Sequence, residues 1–296
     1  MKALKKIYKF FSFEAKEPKT FGIFHIVFAV IIGFLTTLLC KKCEKTSEKT
    51  ERKIALYAWI GYITLELYKQ IIYSISLDGE QFIFGISWSD FPFQLCSTPL
   101  YVLPFIAFLP SGRIREAFVA FFGTFTFLGG FAVCIYPGNV FVETLGINLQ
   151  TIIWHGGQVI LGAYFNLRRF ASENPPKKTK YFVSAVPIFL LFTALAIILN
   201  VTVQGALDAA MLDEKFNMFF ISPYFECIFP ILSTIKIYAP YPVFILAYVL
   251  GVGALSFALL SSEALIVEKT LEFRKKKAAH KASAEQYINS DSKSNL

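Results

Sequence analysis

Long apolar segments, separated by short polar ones, follow one another along most of the chain. Seven of these segments are long enough to cross about 30 Å of hydrocarbon as helices that rise about 1.5 Å per residue. Because a helix satisfies its own backbone inside a bilayer, the pattern predicts an all-α membrane protein, a seven-transmembrane helix bundle. The predicted spans are residues 21–40, 54–77, 92–110, 114–136, 149–166, 181–201 and 240–262.

Polar segments at both ends of the chain divide it into three parts. Residues 1–20 are basic and amphipathic, and the apolar run that follows them is a full span rather than the short core of a signal peptide. Residues 21–266 form the predicted transmembrane domain. Residues 267–296 turn polar and Ser-rich, which predicts a cytoplasmic tail that is disordered beyond about residue 280.

Composition and charge support a membrane location. The 296 residues are 55% hydrophobic and only 17% charged, with a mean hydropathy of +0.54, whereas soluble domains carry about 25% charged residues. The net charge of +8 is concentrated in the loops after the first, third and fifth predicted spans and in the tail. Positive loops favour the cytoplasmic side, so we expect the C-terminus inside and the N-terminus outside, against the basic character of residues 1–20.

This distribution of charge predicts a multi-pass protein of the cell membrane, of the bacterial plasma membrane type, with membrane phospholipids as partners. The cytoplasmic positive charge suits anionic lipid and needs no nucleic acid. The five cysteines are odd in number and scattered, so no disulfide framework is predicted.

Strongly polar side chains inside the predicted spans are the candidates for function, because they are costly in hydrocarbon. Helical rise places Cys96, His155 and His25 about 6–9 Å below the outer surface, each in a different helix. Three helices therefore contribute a thiol and two imidazoles to one predicted layer. The candidates are His25, Glu66, Lys69, Gln94, Cys96, His155 and Gln158.

The predicted proximity of Cys96 and His155 suits nucleophilic catalysis. A thiolate attacks, and an imidazole can take the thiol proton and later give it to a leaving group. Pro99 should distort the turn that holds Cys96, and the two glycines after His155 leave room for a ligand or for another helix. The alternative is an inert buried thiol and a histidine that bonds a neighbouring helix.

Other polar residues would support such a site. Glu66 and Lys69 are one turn apart near the membrane centre and can pair, either to fix helix register or to bind a ligand. Gln94, Gln158 and Asn217 could each donate a hydrogen bond to an oxyanion or bridge helices. We predict no metal and no cofactor, since His25, His155 and Cys96 lack the helical spacing of paired metal ligands.

Three motifs resemble those of a known family. The stretches FPFQLCSTPLYVLP (residues 91–104), WHGG (154–157) and FNMFFISP (216–223) are similar to the YwaF family of bacterial seven-span membrane proteins. That family is related to the eukaryotic transmembrane protein 164 acyltransferases, which move fatty acyl chains between phospholipids. The resemblance implies a Cys96 nucleophile with a His155 partner, while Gln94 stands where the family often has histidine.

We therefore expect a membrane lipid acyltransferase or lipid esterase that forms a thioester on Cys96. Two other functions stay open from the sequence. One is a transporter or small-molecule binding protein with its site at Glu66 and Lys69, in which Cys96 is dispensable. The other is a scaffold without catalysis, whose polar residues only lock helices together.

Overall fold

The computed structural model describes residues 2–43, 46–79, 81–138 and 140–294, with side chains as far as residue 277 except those of residues 42 and 43. The described chain is mostly helical, with one small antiparallel hairpin. Its elements are α1 (Lys2–Phe11), α2 (Ile23–Cys43), α3 (Glu48–Ser74), β1 (Ile75–Asp78), β2 (Gln81–Phe84), α4 (Pro99–Phe108), α5 (Arg113–Phe121), α6 (Phe127–Ile135), α7 (Leu145–Phe170), α8 (Lys178–Ala209), α9 (Pro230–Tyr238) and α10 (Tyr241–Ser294).

Four helices of the described chain are long and apolar enough to cross a membrane. They are α2 over Ile23–Lys41, the helix Arg113–Ile135 made of α5 and α6, α8, and α10 over Tyr241–Lys277. A shorter apolar helix covers Leu95–Phe108. The chain is thus a membrane-associated helical protein, as its composition predicts. Helix α7 covers the predicted span 149–166, and α3 covers the predicted span 54–77 as far as Ser74. Both helices carry more polar residues.

The start of α3 is fixed by local chemistry. The Ser47 hydroxyl accepts a hydrogen bond from the backbone N–H of Thr50 at 3.2 Å, which caps the helix. Glu48 and Glu51 lie in the first turn, where carboxylates interact favourably with the positive end of the helix dipole.

The outer part of the predicted span 54–77 is not helical. Helix α3 ends at Ser74, and β1 pairs with β2 from Ile75 opposite Phe84 to Asp78 opposite Gln81. The turn between the strands uses Gly79 at φ 53°, a conformation that costs glycine little. The apolar residues of β1 extend the hydrophobic run of the sequence, which is why hydropathy alone carried the predicted helix too far.

A π-helical turn, Phe122–Thr126, joins α5 to α6 without breaking the helix. Its Gly123 carbonyl accepts a hydrogen bond of 2.6 Å from the Asn166 side chain of α7. A Cβ on Gly123 would lie only 2.0 Å from the Asn166 Oδ1, so this close approach requires glycine. The π turn therefore locks the α5–α6 helix against α7.

Stacked aromatic rings fill the core around that turn. Phe125 stacks on Phe189 of α8 with ring centroids 4.2 Å apart, and Phe121 stacks on Phe192 at 5.5 Å. All four rings are buried. Because lipid is as apolar as these side chains, close packing rather than water exclusion is what favours this contact.

The N-terminal segment lies at one end of the bundle. The Tyr8 hydroxyl donates to the Ile75 carbonyl at 2.5 Å, and the Tyr68 hydroxyl donates to the Phe11 carbonyl at 2.8 Å. The Ala15 N–H donates to the Glu143 carbonyl, just before α7 begins. Helix α1 thus shares an end with the hairpin and with the start of α7.

The last helix, α10, continues into the C-terminal tail as far as Ser294. Residues 267–284 are rich in Glu, Lys and Ala, which have high helix propensity. The polar composition of the tail therefore extends the last helix rather than ending it.

Candidate functional site

The turn that carries Cys96 is a single 3-10 turn, Leu95–Ser97, directly before α4. Pro99 occupies the first turn of α4 and has no N–H that could bond the carbonyl of Cys96, three residues earlier. The Thr98 hydroxyl holds the turn from the other side. It donates to the Leu95 carbonyl at 2.7 Å and lies 2.7 Å from the Thr126 hydroxyl of the π turn. The sequence around Cys96 thus leaves a backbone carbonyl available to another helix.

Helix α7 supplies the partners of that carbonyl. The Trp154 indole N–H and the Gln158 amide both donate to the Cys96 carbonyl oxygen, at 2.8 and 2.6 Å. On the opposite side, a Cβ on Gly129 of α6 would lie 3.4 Å from the Cys96 Cα. Cys96 is therefore held between α6 and α7, at the level of α7 occupied by residues 154–158.

His155 lies on the buried face of α7, between the two residues that bind Cys96. It is only 8% exposed, and its Nδ1 lies 2.7 Å from the Thr151 carbonyl oxygen. A carbonyl can only accept, so Nδ1 carries the proton and Nε2 is the basic nitrogen. The Cys96 thiol and the His155 ring form no hydrogen bond with each other, so a direct proton transfer requires them to move closer.

Glu66 and Lys69 form an ion pair of 3.0 Å in the C-terminal half of α3. Lys69 and Gln70 also donate to the Asp90 carbonyl, at 3.3 and 2.9 Å. These bonds tie the end of α3 to the segment that leads into the Cys96 turn.

His25 lies apart from this group. Its Nδ1 accepts from the Phe21 N–H at 3.1 Å, and its Nε2 bonds the Cys134 carbonyl at 2.8 Å. Cys134 is five residues along α6 from Gly129, about 7.5 Å at helical rise. The structure thus gives His25 a different level from Cys96. Its Nε2 joins α2 to α6, whereas its Nδ1 bonds the backbone just before α2.

Gln94 and Asn217 hold a loop rather than face the thiol. Gln94 donates to the Asn217 carbonyl at 2.8 Å and accepts from the Phe219 N–H at 2.7 Å. Asn217 accepts from the Ser222 N–H at 2.9 Å. Phe219 and Phe220 are both in the left-handed region, at φ 57° and 56°, which is strained for a bulky side chain. The amides therefore fix this strained loop, and the structure engages them there instead of as oxyanion donors.

The two glycines after His155 serve close helix packing. A Cβ on Gly156 would lie 2.8 Å from the Ile32 side chain of α2, and one on Gly157 would lie 2.7 Å from the Tyr62 hydroxyl of α3. Of the two uses open from the sequence, the structure shows the one in which neighbouring helices approach α7.

A buried ion network, which no motif of the sequence indicates, lies at the opposite end of the bundle. Glu51 is fully buried and accepts hydrogen bonds from Arg115 at 2.5 Å, from Arg169 at 2.9 Å and from Arg168. Burial alone would raise its pKa, but the bonds and charges of these arginines outweigh burial and lower it to about 2. In the sequence alone, each of these arginines is simply one of the positive charges of the predicted cytoplasmic loops.

Metal-ligating groups and surface cavities bear on what the Cys96 site could bind. Within the described residues, no group of three or more His, Cys, Asp and Glu side chains is placed to hold a metal ion. Two surface cavities, of about 240 and 540 Å³, are lined by other residues. The smaller lies against the loop after α8, and the larger lies between α1, α3 and the hairpin.

Comparison with known proteins gave no match to a protein-family model, to a curated protein or to a solved structure. The resemblance to the YwaF family stays a prediction from the three motifs.

We expect Gly130→Ala to disturb the site through packing. A Cβ on Gly130 would lie 2.5 Å from the Gln158 Cβ and 2.7 Å from the His155 carbonyl oxygen, so α6 and α7 must separate. The cost should be roughly 1–3 kcal/mol of unfolding free energy, measured by thermal unfolding in detergent micelles. Gly251→Ala is the matched control, since its Cβ would meet no atom within 4 Å. Equal stability of the two variants would contradict the tight α6–α7 contact.

Proposed function

We propose that this protein is a seven-span membrane enzyme of the YwaF type that moves a fatty acyl group of a membrane phospholipid through a thioester on Cys96. The observation that carries the proposal is the placement of the thiol residue against α7. Trp154 and Gln158, on either side of His155, both bond the Cys96 carbonyl. A thiol and an imidazole with a basic Nε2 are thereby brought to one level of the bundle.

The distribution of charge supports seven spans with the C-terminus inside. The ends of the helices that carry Glu51, Arg115 and Arg169 meet in one ion network. That places the start of α3, the start of α5 and the end of α7 at a common basic end, which we assign to the cytoplasm. Helix α1 and the hairpin lie at the other end, assigned to the outside.

The chemistry follows from these assignments. His155 Nε2 takes the Cys96 proton as the sulfur attacks the ester carbonyl of a phospholipid. The carbon–oxygen ester bond breaks, His155 returns the proton to the departing lipid oxygen, and the acyl group remains on sulfur as a thioester. A hydroxyl compound then attacks the thioester, which regenerates the thiol. The enzyme is an esterase if water accepts the acyl group. It is an acyltransferase if the hydroxyl group of a lipid accepts it.

Trapping the acyl-enzyme tests the proposal. We expect purified protein incubated with phosphatidylethanolamine and phosphatidylglycerol vesicles to gain the mass of a fatty acyl group at Cys96, released by neutral hydroxylamine as a thioester is. Peptide mapping locates the adduct. An adduct confined to Cys134 or Cys227, or no adduct at all, would rule out the proposed reaction.

A second candidate function, small-molecule binding or transport at Glu66 and Lys69, is favoured by one observation. The Glu66 Oε2 atom is buried and has no hydrogen-bond partner. Under this function Glu66→Gln abolishes ligand binding or uptake, whereas Cys96→Ser leaves it unchanged. The acyl-enzyme experiment separates the two functions, because a transporter forms no thioester.

A further inference from the structure

The Glu66 carboxylate is satisfied on one oxygen only. Oε1 accepts from the Gln70 amide at 2.7 Å and from the Lys69 ammonium at 3.0 Å, while Oε2 is buried without a partner. Within the part of the chain whose side chains the structure describes, only Gln158 Oε1 and Ser256 Oγ share that condition. Nearly every buried polar group in a folded protein has a partner, so a bare carboxylate oxygen is unusual.

The two side chains that bond Glu66 Oε1 do not bond Oε2. Lys69 and Gln70 are already shared between Glu66 Oε1 and the Asp90 carbonyl. An ionised carboxylate has about four acceptor positions, and leaving a charged group partly unsatisfied in an apolar setting is costly. The open oxygen is therefore suited to a hydrogen-bond donor that comes from outside the chain.

The residue that carries this oxygen lies one turn of α3 from a contact with α7 that leads to Cys96. Tyr62, one turn before Glu66 in α3, donates to the Trp154 carbonyl at 2.9 Å. The Trp154 indole in turn donates to the Cys96 carbonyl at 2.8 Å. Glu66 is thus about 6 Å, one helical turn, along α3 from a contact that reaches Cys96.

The charges at Glu66 and Lys69 indicate what kind of donor would bind Glu66 Oε2. Lys69 already balances the Glu66 charge at 3.0 Å, so a second cation would leave an excess positive charge in hydrocarbon. A neutral hydroxyl supplies the missing donor without adding charge. We propose that Glu66 Oε2 binds the hydroxyl group of the acceptor lipid, a glycerol-based lipid that lacks one acyl chain. This inference rests on the proposed function and assigns Glu66 to its second step.

The step balances without a further reactant. The acceptor oxygen attacks the thioester carbonyl carbon while Glu66 Oε2 takes the hydroxyl proton. The carbon–sulfur bond breaks, and the proton passes to the Cys96 sulfur. The products are an ester and the free thiol. His155 serves the first step, and Glu66 serves the second.

Glu66→Gln is the decisive variant, because its amide keeps the shape but replaces one acceptor oxygen by a donor. We expect it to form the Cys96 adduct from vesicles that contain a phospholipid with a fluorescent acyl chain. Transfer of that chain to added lysophosphatidylethanolamine should fall about 10- to 100-fold, so the adduct accumulates. Glu263→Gln is the matched control, since it neutralises another carboxylate within an apolar helix, one that Asn166 already bonds at 2.5 Å. Its transfer rate should equal that of the wild type.

The outcomes separate the two proposals. No adduct in the wild type rejects the proposed function and this inference with it. A normal adduct with wild-type transfer in Glu66→Gln rejects the inference alone, and so does a folded Glu66→Gln protein that forms no adduct. Release of the chain only as free fatty acid also rejects it, because water is then the acceptor.

A measurement on the wild type covers the case in which Glu66→Gln does not fold. Lysophosphatidylethanolamine and its 2-deoxy analogue, which lacks the acceptor hydroxyl, are compared as inhibitors of transfer to a labelled acceptor. We expect the deoxy analogue to compete at least about 10-fold more weakly, because it leaves Glu66 Oε2 unsatisfied. Equal competition would contradict a hydroxyl at this oxygen.

Discussion

Replacing Glu51 by glutamine should destabilise the bundle by about 3–5 kcal/mol, because it leaves buried arginines without their counter-charge. Arg115 is only 1% exposed, and besides the Ile106 carbonyl its contacts are with carboxylates, of which Glu51 at 2.5 Å is the nearest. Arg169 would keep only Glu116. The loss is measured by thermal or chemical unfolding of the protein in detergent micelles.

The matched control is Glu116→Gln. Glu116 bonds Arg169 at 2.9 Å, but its side chain is 46% exposed. Exposed ion pairs contribute about 0–1 kcal/mol, so this variant should unfold close to the wild type. Equal losses of stability in the two variants would show that burial does not govern the strength of this network.

Lowering the pH should weaken the ion network around Glu51. The pKa of Glu51 falls from 4.5 to about 2 on folding, so its stabilising contribution is complete above pH 4.5 and is lost as the pH falls toward 2. At about 1.4 kcal/mol per pH unit, this corresponds to about 3 kcal/mol. The stability difference between wild type and Glu51→Gln should therefore shrink from pH ~7 to pH ~3. A constant difference would show that Glu51 does not titrate as the arginine contacts require.

The sequence predicted the positions of the long apolar helices well, because hydropathy and length alone determine which segments lipid accepts. The predicted span 181–201 lies within α8, and the predicted span 114–136 nearly coincides with the helix Arg113–Ile135. The hairpin was missed for the same reason. The apolar residues of β1 are as hydrophobic as those at the end of a membrane helix. In so short a segment, the spacing of apolar positions does not distinguish a strand from a helix.

Contacts between distant residues were harder to predict. Glu51 binds Arg115 and Arg169, which are 64 and 118 residues away, and no spacing in the sequence indicates such a meeting. The depth of a residue within its predicted span was more informative than its spacing from other residues in the sequence. Helical rise puts Cys96 and His155 at similar depths, and in the structure Trp154 and Gln158 meet the Cys96 carbonyl. Depth alone was not sufficient, however, because it put His25 in the same predicted layer, whereas the structure gives His25 a different level and other partners.

Replacing Cys96 by alanine should abolish acyl turnover, since the thiol of Cys96 is the proposed nucleophile. Removal of the nucleophile from an enzyme that works through a covalent intermediate costs several orders of magnitude in rate, so we expect a loss of at least about 1,000-fold. The hydrogen bonds at this position should survive, because Trp154 and Gln158 bond the backbone carbonyl of Cys96 and not its side chain. The variant should consequently unfold near the wild-type temperature, which separates lost chemistry from lost structure.

Cys134→Ala is the matched control for Cys96→Ala. Cys134 is likewise a free thiol of intermediate burial, and its contact with His25 is also made through the backbone carbonyl. Its replacement therefore removes a thiol of the same kind while keeping the hydrogen bond of that position. Turnover of a fluorescent phospholipid in vesicles should persist in Cys134→Ala and disappear in Cys96→Ala. Equal turnover in both would mean that the thiol of Cys96 takes no part in a reaction, and the polar residues around it would then be explained by helix packing or by ligand binding at Glu66.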